Sequence, residues 1–365
     1  MSPPGAPAAT APSSHEPTPP RGNAGQARRR GLRIGLFVAG LAVLGAILAT
    51  VGWKSVATNL GLIGGWFFGL VALYAAAQAA FAMGWWVLTG PPPRPVSFGA
   101  LFSAYLAGDS INYFTSVAGE PIKAQLLRKE LGFSHGLATV TVHRHADVLA
   151  QWIFLATGVA VALWRFDLPT VARAAVIASL LVLGVLVFAM TWGLRRGAFR
   201  PMIAWLGRFR ILARRMGRLE HEAARLDARI GEFYRDKSVH FGWAVTWCFV
   251  GWCGGLVETY LVLRLLSPAH DWSTAIAIES LAMVLNNILL FIPGRVGSAE
   301  GVRIGVYALV GLSAAQGTAY ALVRRGRELL WLVPGFVVLL RRHVLGPGHM
   351  HLPEVEADLP QEVGR

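Results

Sequence analysis

A chain of 365 residues that is 54% hydrophobic and only 15% charged, with a mean hydropathy of +0.49, has more apolar surface than a soluble domain of that length can bury. The surplus must face lipid, so a soluble globular fold is excluded and an all-α, polytopic integral membrane bundle is expected. The net charge of +14 and the pI near 10.8 would suggest nucleic acid in a soluble protein. Here the arginines flank apolar spans, the distribution of cytoplasmic loops on anionic lipid, so no nucleic-acid partner is expected.

Residues 1–33 read as a disordered cytoplasmic tail, rich in Pro, Ala, Ser and Gly, that closes on the run Arg28, Arg29, Arg30 and Arg33. The apolar stretch Ile34 to Val51 then resembles a signal anchor and opens a transmembrane domain over residues 34–346. A second span, about Leu62 to Leu88, carries Gly61, Gly65 and Gly69 four apart, a stripe that predicts close approach of a neighbouring helix. The prolines of 91–95 return the chain to the cytoplasmic side.

The stretch Phe98 to Phe114 is apolar yet holds Asp109, Ser110 and Asn112, and Gly119, Glu120, Pro121 and an amphipathic segment follow it. Polar, irregular backbone at membrane depth requires cover from protein or a water-filled cavity, so a re-entrant helix pair is expected here. Further spans cover about Leu137 to Leu163, Val171 to Trp192 and Phe241 to Leu266. Between them, 195–237 is a basic cytoplasmic loop, read either as an amphipathic helix on anionic lipid or as a solvated linker that sets topology. A second interrupted segment, Thr274 to about Gly311, precedes a last span at about Thr318 to Leu340, and residues 347–365 form a disordered tail. Cys248 and Cys253 lie five apart on one span and read as small core residues rather than a disulfide or zinc site.

The two interrupted segments resemble each other. Glu120-x-x-Lys123 corresponds to Glu300-x-x-Arg303, and Arg144-x-x-Asp147 to Arg325-x-x-Glu328, at nearly the same offset along the chain. The number of spans before each segment makes them enter the membrane from opposite sides, an inverted repeat of the kind whose halves meet at a transporter's substrate site. A headgroup phosphate crossing the hydrocarbon needs replacement for its hydration, which half-helix N-termini and cations supply. Glu120, Lys123, Arg144, Asp147, Glu300, Arg303, Arg325 and Glu328 are therefore the expected substrate-binding residues, with the acids holding the arginines when no lipid is bound. Two plainer readings stand beside this one: the Arg/acid pairs neutralise one another within a helix, and Glu120 and Glu300 cap helix N-termini. Asp109, His143 and Glu279 are candidates for proton coupling, and Glu258 and Glu279 for pairing with arginines such as Arg264.

These segments resemble a flippase-like membrane protein family that includes the transmembrane region of lysylphosphatidylglycerol synthases and hopanoid-cluster membrane proteins, over about residues 34–342. The second motif is intact as Pro293, Gly294, Arg295, Val296 and Gly297, followed by Glu300 and Gly301. The first departs from the family's usual Pro-Gly-Arg at Thr115 to Val117 and keeps Gly119, Glu120 and Lys123. The resemblance implies lipid translocation by a helical bundle with paired re-entrant segments. Synthase activity is not expected, since the soluble aminoacyl-transferring domain would require a long additional domain.

The expected function is thus a multi-pass flippase or scramblase in the cytoplasmic membrane, with both termini in the cytoplasm, moving an anionic phospholipid or an isoprenoid-derived lipid. Its partners are membrane lipids with anionic headgroups. No cofactor or metal is expected, and without a P-loop, transport draws on no ATP directly. Two alternatives differ in class: a membrane-embedded lipid-modifying enzyme with His143 and Asp147 as acid and base, and a non-transporting partner that recruits a lipid-biosynthesis enzyme through the basic loop.

Overall fold

The structure, a computed structural model, describes residues 53–90, 95–115, 117–206, 216–288 and 297–342. Both expected terminal tails, the stretch Ile34 to Val51 and the motif Pro293 to Val296 lie outside the described residues. The described residues form α-helices and no strand. In chain order these are α1 (Trp53–Ile63), α2 (Trp66–Leu88), α3 (Phe98–Thr115), α4 (Gly119–Leu126), α5 (Arg128–Leu131), α6 (Phe133–Arg165) and α7 (Thr170–Arg196). Then come α8 (Phe199–Leu206), α9 (Met216–Asp236), α10 (Ser238–Leu266), α11 (Trp272–Ile288), α12 (Ser298–Leu309) and α13 (Ala314–Arg341).

Helices α2, α6, α7 and α10 are long and apolar enough to cross a bilayer. Their outward faces stay apolar: Leu181, Val185 and Phe188 of α7 are exposed, as lipid-facing side chains must be. Helix α13 is of similar length but carries Arg324, Arg325, Arg327 and Glu328 within little more than one turn. It starts on a capping box, in which Ser313 Oγ accepts from Gln316 N and the Gln316 side chain accepts from Ser313 N. Asp271 caps α11 in the same spirit. Its carboxylate accepts from Ser273 Oγ (2.7 Å) and Thr274 N (3.1 Å), bonds that hold its pKa down to about 2.

Lipid offers no hydrophobic force between helices, so close packing must join them. Helix α2 lies along α10 through small residues on both: a Cβ on Gly84 would sit 3.1 Å from Ala244 O and Cys248 Sγ, and one on Gly254 would sit 2.7 Å from Ala77 Cβ. Helix α6 runs through the centre, in contact with α2, α4, α7, α10 and α11. A Cβ on its Gly158 would collide with Ser280 of α11 at 1.7 Å. Among the described residues, the stripe expected at Gly61, Gly65 and Gly69 has no such role. A Cβ at Gly61 or Gly65 meets nothing within 4 Å, because the chain turns between α1 and α2 and this face has no neighbour among the described residues.

The two interrupted segments each give a pair of packed helices, α3 with α4 and α11 with α12. Between α3 and α4 the backbones nearly touch: a Cβ on Gly119 would lie 1.9 Å from Gly108 O. Gly297, at the start of α12, takes φ +78°, a conformation that side chains resist. Helix α13 of the second half packs on α3 of the first, where a Cβ on Gly335 would strike Ser110 Oγ at 2.0 Å.

The basic segment 195–237 includes helices rather than an open loop. Asp227 of α9 accepts from the backbone N–H of Phe199 (3.1 Å) and Arg200 (2.8 Å), capping α8. The apolar stripe of α9, Leu226, Ile230 and Phe233, is buried against Leu88, Val142, Ala146, Leu194 and Ala244. This corrects the expectation of a helix lying on lipid, since α9 spends its apolar face on protein.

Gly119→Ala should destabilise the fold by about 2 kcal/mol or more through overpacking against Gly108, whereas Gly61→Ala should be neutral or slightly stabilising. Thermal unfolding of the two purified variants in detergent checks this, and equal midpoints would refute the close approach of α3 and α4.

Candidate functional site

Charge enters the bundle interior from two directions. In the first half, Asn112 of α3 closes the break before α4. Its Oδ1 accepts from Gly119 N (2.7 Å) and its Nδ2 donates to Glu120 Oε1 (2.8 Å). One turn on, Lys123 is 3% exposed, with Nζ 3.2 Å from Glu120 Oε2 and 4.7 Å from the Tyr105 ring centroid. On α6, Arg144 donates to Asp147 Oδ2 (2.9 Å), and Trp252 Nε1 of α10 donates to Asp147 Oδ1 (3.1 Å). Asp109 accepts from Gln78 Nε2 of α2 at 3.1 Å.

In the second half, the charged turn of α13 meets carboxylates from three other helices. Arg324 Nη1 lies 2.8 and 3.0 Å from the two oxygens of Glu279 on α11, which also accepts from Thr259 Oγ1 at 2.7 Å. Arg325 Nε donates to Glu300 Oε1 of α12 at 2.7 Å, and its Nη1 reaches the Tyr113 hydroxyl of α3. Arg327 pairs with Glu258 of α10 under the Tyr74 ring, 3.8 Å from its centroid. Glu328 is shared at 3.5 to 3.8 Å by Arg324, Arg325 and Arg327. Arg303 of α12 is 6% exposed, its Nη2 is 3.9 Å from Glu279 Oε2, and its Nε has no hydrogen-bond partner.

One cavity of about 940 Å³ is lined by both clusters. Lys123, Arg144, Arg303, Arg324 and Arg327 face it, as do Asp109, Glu120, Asp147, Glu279 and Glu328, so cations and carboxylates are equal in number on its wall. Arg144 leaves 46% of its side chain open, and that surface faces the cavity. The apolar part of the cavity's lining comes largely from α7, with Leu155, Met283 and Val284 beside it. Val182 and Leu186 line the cavity yet are 61% and 59% exposed, so its mouth runs along α7 at the lipid-facing surface.

The sequence-derived residues are therefore mostly convergent. Asp109, Glu120, Lys123, His143, Arg144, Asp147, Glu279, Arg303 and Glu328 line the main cavity. Glu300 and Arg325 line a smaller recess that shares Arg303, Arg324 and Glu328 with it. Glu120 and Glu300 are ion-pair partners as well as first-turn acids. The expected pair of Glu258 with Arg264 is not made. Glu258 takes Arg327, and Arg264 binds the Pro268 carbonyl because both lie at the same end of α10. His143 Nε2 is held at 2.9 Å by the Phe81 carbonyl and at 3.7 Å by Cys248 Sγ, while Asp147 is held by Arg144 and Trp252, so neither is poised on the other as an acid and base pair.

Arg324, Arg327, Gln78 and Tyr74 were missed. A signal existed for three of them. The run Arg324, Arg325, Arg327 and Glu328 packs too much charge into one apolar-flanked helix to be lipid-exposed, and Gln78 is the lone amide of an otherwise apolar α2. Tyr74 carries no such mark. The pair Arg327 and Glu258 is buried on both sides, so removing one partner strands the other's charge. Arg327→Met should cost about 3 kcal/mol or more, and the double change with Glu258→Leu should recover most of it. Unfolding midpoints of the single and double variants in detergent measure both effects.

Residues 32–335 match the family described as Lysylphosphatidylglycerol synthase TM region. A protein named UPF0104 membrane protein, from Methanothermobacter thermautotrophicus, is 28% identical over 273 residues, covering 70% of this chain and 78% of the relative. No solved structure matches the chain. With most of its length matched, its apolar helices able to cross a bilayer and its charge turned inward, the chain is a membrane protein that belongs to the lysylphosphatidylglycerol synthase TM region family.

Proposed function

We propose that this protein is a lipid translocase, a flippase or scramblase that moves lipids bearing a headgroup phosphate, a phospholipid or an isoprenoid-derived lipid, across the cytoplasmic membrane. The observation that supports the reading is the amphipathic cavity, lined by charged side chains from both halves and by an apolar face of α7. A headgroup has charged partners inside while acyl chains remain in the bilayer at the mouth along α7, so the chains never cross a polar surface. Helix pairs α3–α4 and α11–α12 act in this proposal as the halves of an inverted repeat, entering the membrane from opposite sides.

The ion pairs supply the exchange. Arg144 and Arg324 leave Asp147 and Glu279 for a phosphate, which accepts the same fork of donors. The carboxylates reclaim them when the lipid departs, so the empty cavity holds no unpaired arginine at either position. Asp109, His143 and Glu279 are the residues through which protons would couple to this cycle. The pairing of His143 and Asp147 with other groups argues against an enzyme built on those two.

The test is reconstitution into liposomes with labelled phospholipid and labelled polyprenyl phosphate. Arg144→Ala and Arg324→Ala should each slow transbilayer movement at least about tenfold, the consequence of losing one charge-assisted hydrogen bond of roughly 1.5–3 kcal/mol. Arg325→Ala, whose guanidinium sits in the side recess, should have a smaller effect. Wild-type protein that moves neither lipid would end the proposal.

A further inference from the structure

Resting on the translocase reading, we infer that the cavity takes a zwitterionic headgroup, one ammonium beside one phosphate, in preference to a net-anionic one. Three observations carry this.

The first is the charge of the wall. Cations and carboxylates are equal in number there. The groups behind them, Glu258 on Arg327, Arg325 on Glu328 and Glu300 on Arg325, add no positive excess. A net-anionic headgroup would therefore enter a low-dielectric space with no surplus cation to offset it, and each arginine it took would strand a carboxylate.

The second is Arg303. It is nine-tenths buried and faces the cavity, but its Nε has no hydrogen-bond partner. Its carboxylate contact is 3.9 Å from Glu279, which Arg324 and Thr259 already engage at 3.0 Å or less. A buried guanidinium left short of an acceptor is an anion site in waiting, and a phosphate oxygen meets it.

The third is Asp109. It faces the same cavity from α3, and its hydrogen bond comes from an amide, Gln78. Among the described residues it forms no ion pair, although every other carboxylate on that wall does. An ammonium supplies the missing cation. Arg303, an under-satisfied donor, is on α12 in the second half and Asp109, the acid without an ion pair, on α3 in the first, so a headgroup carrying both signs bridges the halves, and a phosphate alone engages only one of them.

Full-length protein in liposomes of equal parts phosphatidylethanolamine and phosphatidylglycerol, with trace acyl-labelled lipid of one or the other headgroup, tests this. Labelled phosphatidylethanolamine should equilibrate across the bilayer about tenfold faster than labelled phosphatidylglycerol, a discrimination typical of one buried charge contact. Asp109→Asn should bring the two rates to within about twofold by slowing the first. Asp109→Glu should keep the preference, and Arg303→Gln should slow both lipids alike. Equal rates in the wild type, or faster phosphatidylglycerol, would overturn the inference while leaving translocation intact, and that comparison needs no variant to fold. Movement of neither lipid would overturn the inference, and if polyprenyl phosphate is not moved either, the translocase reading falls with it. Uptake of labelled soluble phosphoethanolamine without lipid movement would assign the dipolar site to a water-soluble solute and overturn the inference as well.

Discussion

Everything polar in this bundle answers to one constraint: a charge inside the hydrocarbon must be met by another charge or by a hydrogen bond. Helix α13 brings three arginines and a glutamate into the interior within little more than a turn. They are accommodated because Glu258, Glu279 and Glu300 arrive from α10, α11 and α12. The ion pairs thereby fasten four helices at one level. Hydrocarbon packing could hold those helices together at many registers, but opposed charges in a low dielectric accept only a narrow range of separations.

The same constraint explains the division between rigid and open parts. Where helices need only adhere, small residues bring backbones together, as Gly84 and Gly254 do between α2 and α10 and Gly108 and Gly119 do between α3 and α4. Where the interior is wide, charged side chains line it instead, and the cavity remains because guanidinium and carboxylate groups cannot collapse into an apolar core. Helix α7 is the exception among the long helices. Few of its residues are buried, and its apolar face closes one side of the cavity while its outer face meets lipid. A headgroup inside and chains outside is the arrangement that such a two-faced wall suits.

The N-terminal cluster shows how a short motif shapes a site. Gly119 lets α4 fold back on α3, and Asn112 satisfies the freed N–H of Gly119 while orienting Glu120. Glu120 in turn fixes Lys123 over Tyr105. Each member is a small step in sequence, but together they hold a lysine inside the bundle with both its charge and its aliphatic stem accounted for.

Much of this was legible in the chain itself. Composition forced a lipid-embedded fold, because apolar surplus cannot be hidden from water any other way, and apolar runs of about 20 residues made it helical. Intramembrane charge marked Asp109, Lys123, Arg144, Glu279 and Arg303 as interior residues, because lipid tolerates such groups only where protein covers them. The i,i+3 pair of Arg144 with Asp147 was legible too, but partner choice between helices was not. Glu258 lies closer in sequence to Arg264 than to Arg327, yet tertiary packing joins it to Arg327, since adjacency along a helix places side chains by turn and level rather than by distance in the chain. Nor could the stripe of Gly61, Gly65 and Gly69 reveal that no helix among the described residues lies against it. The sequence by itself determined that the charges must be inside and the apolar faces outside. Only the tertiary structure decided which charges meet across helices, and that they line a common cavity, because those outcomes depend on helix crossings that no local pattern encodes.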